Sequence, residues 1–195
     1  MIQYKDNVFD KKYCETIYDY FLENAQWKFR GTITPFPNYG AGEQYRKKED
    51  RPKSFRAYKD IYNRDLTKDS VVNKILNTAK DIFKLRQIEN YLSFYLTGTP
   101  YNIQSGYHAD SDIGAGDRVT LLYYINMDDY ACTGTDFKIP YYQNKVETLY
   151  DNKIETVDFV AGRFVLFDST LQHRAGTSKD NQTLRMSLVW NGIEK

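Results

Sequence analysis

The sequence predicts an α+β domain, with two helices packed on antiparallel sheets in a sandwich or barrel. Three observations predict it. Apolar residues recur at helical spacing in two segments of the first half. From Ile88 onward, about eight short β-rich runs follow one another with turn residues between them. The chain has 195 residues, 41% of them hydrophobic and 27% charged, which suits one domain with a real core.

The first helix is expected over residues 10–25, where Tyr13, Ile17, Tyr20 and Phe21 share a face and Asp10 can cap the start. A strand is expected over residues 27–34, followed by a loop over residues 35–52 with Pro, Gly and Asn punctuation. The second helix is expected over residues 69–85. Its stripe is Val72, Ile75, Leu76, Ala79, Ile82 and Phe83, with Asp69 or Ser70 as cap. The β-rich runs are NYLSFYL, YNIQSGYHAD, RVTLLYYINM, TDFKIPYY, KVETLY, KIETVDFV, RFVLFD and LRMSLVW, and Asp151-Asn152 reads as a hairpin turn between two of them. The expected organisation is one domain over residues 1–195, with helical and loop support over 1–87 and a β core over 88–195.

The formal net charge is +1, so no global field draws nucleic acid or an anionic membrane. No apolar run approaches the roughly 20 residues that span a bilayer. Cys14 and Cys132 are too far apart in sequence for a metal-ligand pair or a disulfide framework. The N-terminus shows no apolar leader, so a reducing cytoplasm is the expected location.

The chain has only two histidines. His108 and Asp110 lie two apart at the end of an expected strand, and period two puts both side chains on one face. His173 follows 63 residues after Asp110, just beyond RFVLFD. Two imidazoles and one carboxylate form the facial ligand set of non-haem Fe(II) oxygenases. A histidine beside an aspartate in a turn is more often a solvated pair, and a single buried histidine more often packs. Arg185, 12 residues after His173, shifts that balance. It sits in the apolar run LRMSLVW, where a guanidinium is costly to bury without an anion. Its planar fork fits a carboxylate, and Ser187 shares its strand parity. The competing reading is a salt bridge or an edge-strand arginine reaching water.

HADSD, LQHRAGTS and LRMSLVW together resemble the successive signatures of the 2-oxoglutarate and Fe(II)-dependent oxygenase superfamily, closest to its prolyl 4-hydroxylase-like branch. RVTLLYYINMDD, GTDFKIP and VAGRFVLFDS are similar to further segments of that branch, and the resemblance covers roughly residues 91–190. It implies a double-stranded β-helix, or jelly roll, backed by the two N-terminal helices. It implies His108, Asp110 and His173 as iron ligands, and Arg185 as the partner of the distal carboxylate of 2-oxoglutarate. Tyr124 would give a hydroxyl to that carboxylate, and Tyr95 would face the cosubstrate; core packing is the competing reading for both tyrosines. Fe(II), 2-oxoglutarate and O2 are the implied cofactors, with ascorbate as an auxiliary reductant. The pattern departs from the branch in keeping one glycine, Gly134, where the branch has a pair, with Thr135 in the second place. Asp112 offers a second carboxylate at the parity of Asp110.

The activity implied is hydroxylation of a C–H bond, in a prolyl or other peptidyl residue or in a free amino acid or small metabolite. A non-catalytic jelly-roll binding module is the alternative. Nucleic-acid dealkylation is disfavoured, because Asn191 stands where that branch carries a second arginine. Residues 32–59 are expected to form either a basic lid over substrate or a solvated charged face. Oligomeric state has no sequence signal.

Overall fold

The computed structural model describes residues 1–24, 28–30, 54–57, 69–85, 93–99, 106–111, 118–128, 132–143, 146–180 and 183–194. Two helices and ten strands make up the described chain: β1 (Ile2–Lys5), α1 (Lys11–Asn24), β2 (Lys28–Arg30), β3 (Ser54–Ala57), α2 (Ser70–Phe83), β4 (Ser93–Thr99), β5 (Arg118–Tyr124), β6 (Thr135–Gln143), β7 (Val146–Val157), β8 (Phe164–Asp168), β9 (His173–Ala175) and β10 (Arg185–Glu194). Both helices start where their caps predict. The Asp10 carboxylate accepts from Tyr13 N–H at 2.7 Å, and Asp69 accepts from Val71 and Val72 N–H. Lys84, at φ 56°, closes α2 in the left-handed region.

The strands form two antiparallel sheets. The larger runs β1-β8-β5-β10-β4-β3-β2 and the smaller runs β7-β6-β9. The larger sheet separates two cores. Val119, Leu121 and Tyr123 of β5, Phe164 and Leu166 of β8, and Met186, Leu188 and Trp190 of β10 join Ile17, Phe21, Val72, Ile75, Leu76 and Ala79 from the helices in one cluster. The alternate residues Leu122, Tyr124, Val165, Phe167 and Val189 join Phe137, Val157 and Phe159 in a second cluster, which lies toward the smaller sheet. Burial on both faces explains why RVTLLYY reads as a continuous apolar run rather than an alternation. Each fully buried large side chain contributes roughly 1.5–3 kcal/mol, so these central strands are the rigid base of the fold.

Several expectations are corrected. β1 was not anticipated; it pairs with β8 at the edge of the larger sheet. Ser54–Ala57 lies within the expected charged loop or lid, yet it is a strand between β2 and β4. The rest of residues 32–59 lies outside the described residues. Asp151 and Asn152 do not turn the chain: they lie within β7. Tyr141 pairs with Thr148 and Ile139 with Lys153, so residues 149–152 stand against Pro140 alone. Proline has no N–H to offer a ladder, and the partner strand bulges where the donor is missing. Turn-forming residues serve that bulge as well as they would a hairpin. In the expected strand YNIQSGYHAD, residues 101–105 lie outside the described set, and among the rest only His108 forms a bridge.

Candidate metal centre and anion pocket

The metal cluster is assembled by backbone. His108 N–H donates to His173 C=O at 2.9 Å, and His173 N–H donates to His108 C=O at 2.8 Å. This reciprocal pair sets the two histidines directly opposite each other, where side chains share a face. Their ring centroids are 4.5 Å apart. Asp110 lies beyond the bridge in a bend, held by its N–H donating to Ser169 C=O at 2.8 Å. One donor atom from each of His108, Asp110 and His173 lies within 4.8 Å of the others. Asp112 lies outside the described residues.

The hydrogen bonds settle which atoms face inward. His108 Nδ1–H donates to Gly106 C=O at 3.2 Å, and His173 Nδ1–H donates to Leu171 C=O at 2.9 Å. A carbonyl only accepts, so each Nδ1 carries the proton and each Nε2 keeps a lone pair. Those Nε2 atoms lie 3.7 and 3.6 Å from Oδ1 and Oδ2 of Asp110. That is too long for a hydrogen bond and suits three donors converging on one cation. Asp110 Oδ2 also accepts from Thr120 Oγ at 2.7 Å, and Thr120 Oγ is 3.0 Å from Ser169 Oγ. Burial lowers the pKa of His173 to about 4, with the Asp110 charge opposing and His108 adding to the effect, so the imidazole is neutral at pH 7. Phe167 packs edge-on against its ring at 4.6 Å. Two imidazole Nε2 lone pairs and one carboxylate, with open approach on the His108 side, fit a ferrous ion.

Arg185 lies on the same inner face, against Thr135. His173 pairs with Phe137 of β6 and Ala175 pairs with Thr135. The Arg185 guanidinium at Thr135 is therefore about two β6 residues, roughly 7 Å, from the strand partner of His173. Arg185 is 1% exposed. Its Nε–H donates to Thr133 C=O at 3.0 Å, Nη1–H to Ser187 Oγ at 3.4 Å and Nη2–H to Thr135 Oγ at 3.2 Å. Three of the five guanidinium N–H groups are thus engaged, and a fourth hydrogen-bonds the Tyr124 side chain, leaving one. Among the described residues no carboxylate pairs with it. The salt-bridge alternative weighed from sequence finds no partner there.

Tyr124, fully buried, stacks on Phe159 with centroids 4.4 Å apart, and the guanidinium carbon lies 5.2 Å from each ring centre. The Tyr124 and Thr135 hydroxyls lie 2.7 Å apart. Burial raises the Tyr124 pKa, with Arg185 opposing, which keeps the phenol a neutral donor. Arg185, Tyr124 and Ser187 are therefore brought together. Tyr95 is the backbone partner of Val189, and its side chain lies outside the described residues. Sequence reading missed Thr120, Ser169 and Thr135. Threonine and serine are ordinary in strands and turns, and only their parity with Tyr124 or closeness to His173 hinted at them.

Two glycines let the backbones close around this pocket. A Cβ on Gly134 would meet Val157 C=O at 2.0 Å, and one on Gly176 would meet Thr133 Oγ at 2.1 Å. The glycine retained at 134 is the one the packing requires.

Among solved structures, the chain is similar to a 2OG-Fe(II) oxygenase family oxidoreductase from Burkholderia pseudomallei, at 12% identity and TM-score 0.60, covering 98% of this chain and 84% of that one. It is similar to a prolyl hydroxylase from Trichoplax adhaerens in complex with a hypoxia inducible factor oxygen degradation domain peptide, at 15% identity and TM-score 0.57, covering 98% and 83%. The chain has the fold of the 2OG-Fe(II) oxygenases. A third similar structure is the epimerase SnoN from nogalamycin biosynthesis, in complex with Fe3+, alpha ketoglutarate and nogalamycin RO, at 10% identity and TM-score 0.58, covering 99% and 78%. No family model and no curated protein matches the chain in sequence. Among the described residues, no helix is long and apolar enough to cross a membrane.

Proposed function

We propose that the chain is a single-domain Fe(II)- and 2-oxoglutarate-dependent dioxygenase that hydroxylates a C–H bond, built on a double-stranded β-helix with its two helices on one sheet. One observation carries the reading. A three-donor anionic cluster and a buried guanidinium with no carboxylate partner among the described residues share one inner face, about two strand residues apart. A five-carbon dicarboxylate with a 2-oxo group fits both needs at once.

His108, Asp110 and His173 would hold the iron, and Arg185 with Tyr124 and Ser187 would hold the distal carboxylate of 2-oxoglutarate. When bound, iron, 2-oxoglutarate and O2 supply the oxidising power, which converts 2-oxoglutarate to succinate and carbon dioxide as the substrate is hydroxylated. The protein residues perform the rest. Thr120 holds the Asp110 carboxylate in place, and the Nδ1–H bonds to Gly106 and Leu171 keep both Nε2 lone pairs inward. Arg185 and Tyr124 fix the orientation of the cosubstrate in a dry pocket, where charge-assisted bonds are strong. Phe137, Phe167 and Val165 exclude water from the inner face.

A prolyl or other peptidyl residue is the first substrate class, supported by likeness to the peptide-bound prolyl hydroxylase. A small-molecule substrate is the second, supported by similar likeness to SnoN with its ligand. The purified protein given Fe(II), ascorbate and 2-oxoglutarate is expected to form succinate slowly, and faster with a substrate drawn from peptide or metabolite pools. Wild-type protein that forms none with any pool, or a His108→Ala variant that matches it, overturns the proposal.

A further inference from the structure

Thr135 occupies the place of the second glycine in the branch that the sequence resembles, and its hydroxyl does not face solvent. Thr135 is 1% exposed. Its Oγ lies 3.2 Å from Arg185 Nη2, from which it accepts, and 2.7 Å from the Tyr124 hydroxyl. The backbone holds it there from both sides, because Thr135 pairs with Val157 of β7 and with Ala175 of β9. On the preceding residue, Gly134, even a methyl group would strike the Val157 carbonyl. The hydroxyl is therefore placed by the sheet, not by a flexible side chain.

Counting protons gives the consequence. The Tyr124 and Thr135 hydroxyls carry two protons, and one is spent in the bond between them. Among the described residues no acceptor takes the second. Arg185 spends three N–H groups on Thr133, Ser187 and Thr135 and a fourth on the Tyr124 side chain, so one of its five is left. The unspent O–H and the unspent N–H belong to three side chains already locked together. Two donors, with no carboxylate beside them among the described residues, suit one carboxylate.

We infer that Thr135 is a cosubstrate-positioning residue that orients the Tyr124 hydroxyl and completes, with Arg185, a two-donor seat for the distal carboxylate. The inference rests on the proposed function and adds to it a residue that resemblance would assign as glycine.

Calorimetric titration of the Mn(II)-loaded protein, which does not turn over, tests this with 2-oxoglutarate and with 2-oxobutyrate, an analogue lacking the distal carboxylate. Thr135→Val keeps the shape and removes the hydroxyl. It is expected to weaken 2-oxoglutarate roughly tenfold or more, the scale of one hydrogen bond to a charged group, while leaving 2-oxobutyrate within about twofold. Thr135→Ser is expected to restore 2-oxoglutarate binding. Equal weakening of both acids, or no weakening of either, overturns the role of Thr135; if Arg185→Ala still weakens 2-oxoglutarate, the proposed function survives that result. Wild-type protein that binds neither acid overturns both.

Discussion

The two ends of the inner face are electrostatic opposites. At one end an aspartate and two imidazole lone pairs converge with no cation among the described residues. At the other a guanidinium lies buried with no carboxylate among them. They also differ in access: the His108 side chain is 24% exposed, whereas Arg185 and Tyr124 are 1% and 0%. The difference teaches how one ligand can be shared. The sealed end reads a charge and fixes position; the partly open end leaves room for chemistry and for substrate to approach. Neither arrangement is favourable alone, since unpaired buried charge costs several kcal/mol.

Removing the metal end is expected to have the largest effect. His173→Ala should reduce succinate formation by about a thousandfold or more, and the variant should retain no iron after gel filtration, because the cluster has no spare donor among the described residues. Wild-type iron content in that variant would move the metal elsewhere. Next in size, Arg185→Ala should raise the 2-oxoglutarate KM roughly a hundredfold, the scale of a buried charge-assisted pair. Excess 2-oxoglutarate should raise the melting temperature of the Mn(II)-loaded wild type and not that of the variant, because only a ligand bound to the folded state stabilises it.

Thr120→Val separates the ends more finely. It removes the bond to Asp110 Oδ2 while preserving shape, so metal affinity should fall about 10- to 100-fold. An unchanged metal affinity would mean that Asp110 needs no such support. The smallest expected effect is on pH stability. Burial depresses the His173 pKa from 6.5 to about 4. Between those values the unfolded chain binds a proton that the folded chain does not, so the metal-free fold loses stability as pH falls through that window. Urea midpoints of chelator-treated protein should drop between pH 7 and 5, and drop less in His173→Gln.

The convergence of His108, Asp110 and His173 was legible in sequence, because HxD spacing and a distant histidine are a distinctive combination in a chain with two histidines. Arg185 was legible for a physical reason: a cation inside an apolar run requires an explanation. Both helices were legible through their caps and stripes. Thr120 and Thr135 were not, because β-branched residues fill strands whether or not their hydroxyls matter. β3 was hidden by the charges around Ser54–Ala57, and β1 by its brevity at an edge. The bulge at 149–152 was read as a turn because Asp and Asn suit both.

Whether the two ends hold a single ligand can be measured by linkage. The affinity of 2-oxoglutarate is to be titrated in chelator-treated and in Mn(II)-loaded wild-type protein. A ligand that bridges the ends must bind at least about tenfold more tightly with metal present, and must strengthen metal binding by the same factor. Equal 2-oxoglutarate affinity with and without metal would contradict a shared ligand and leave the cluster and the guanidinium as unrelated sites.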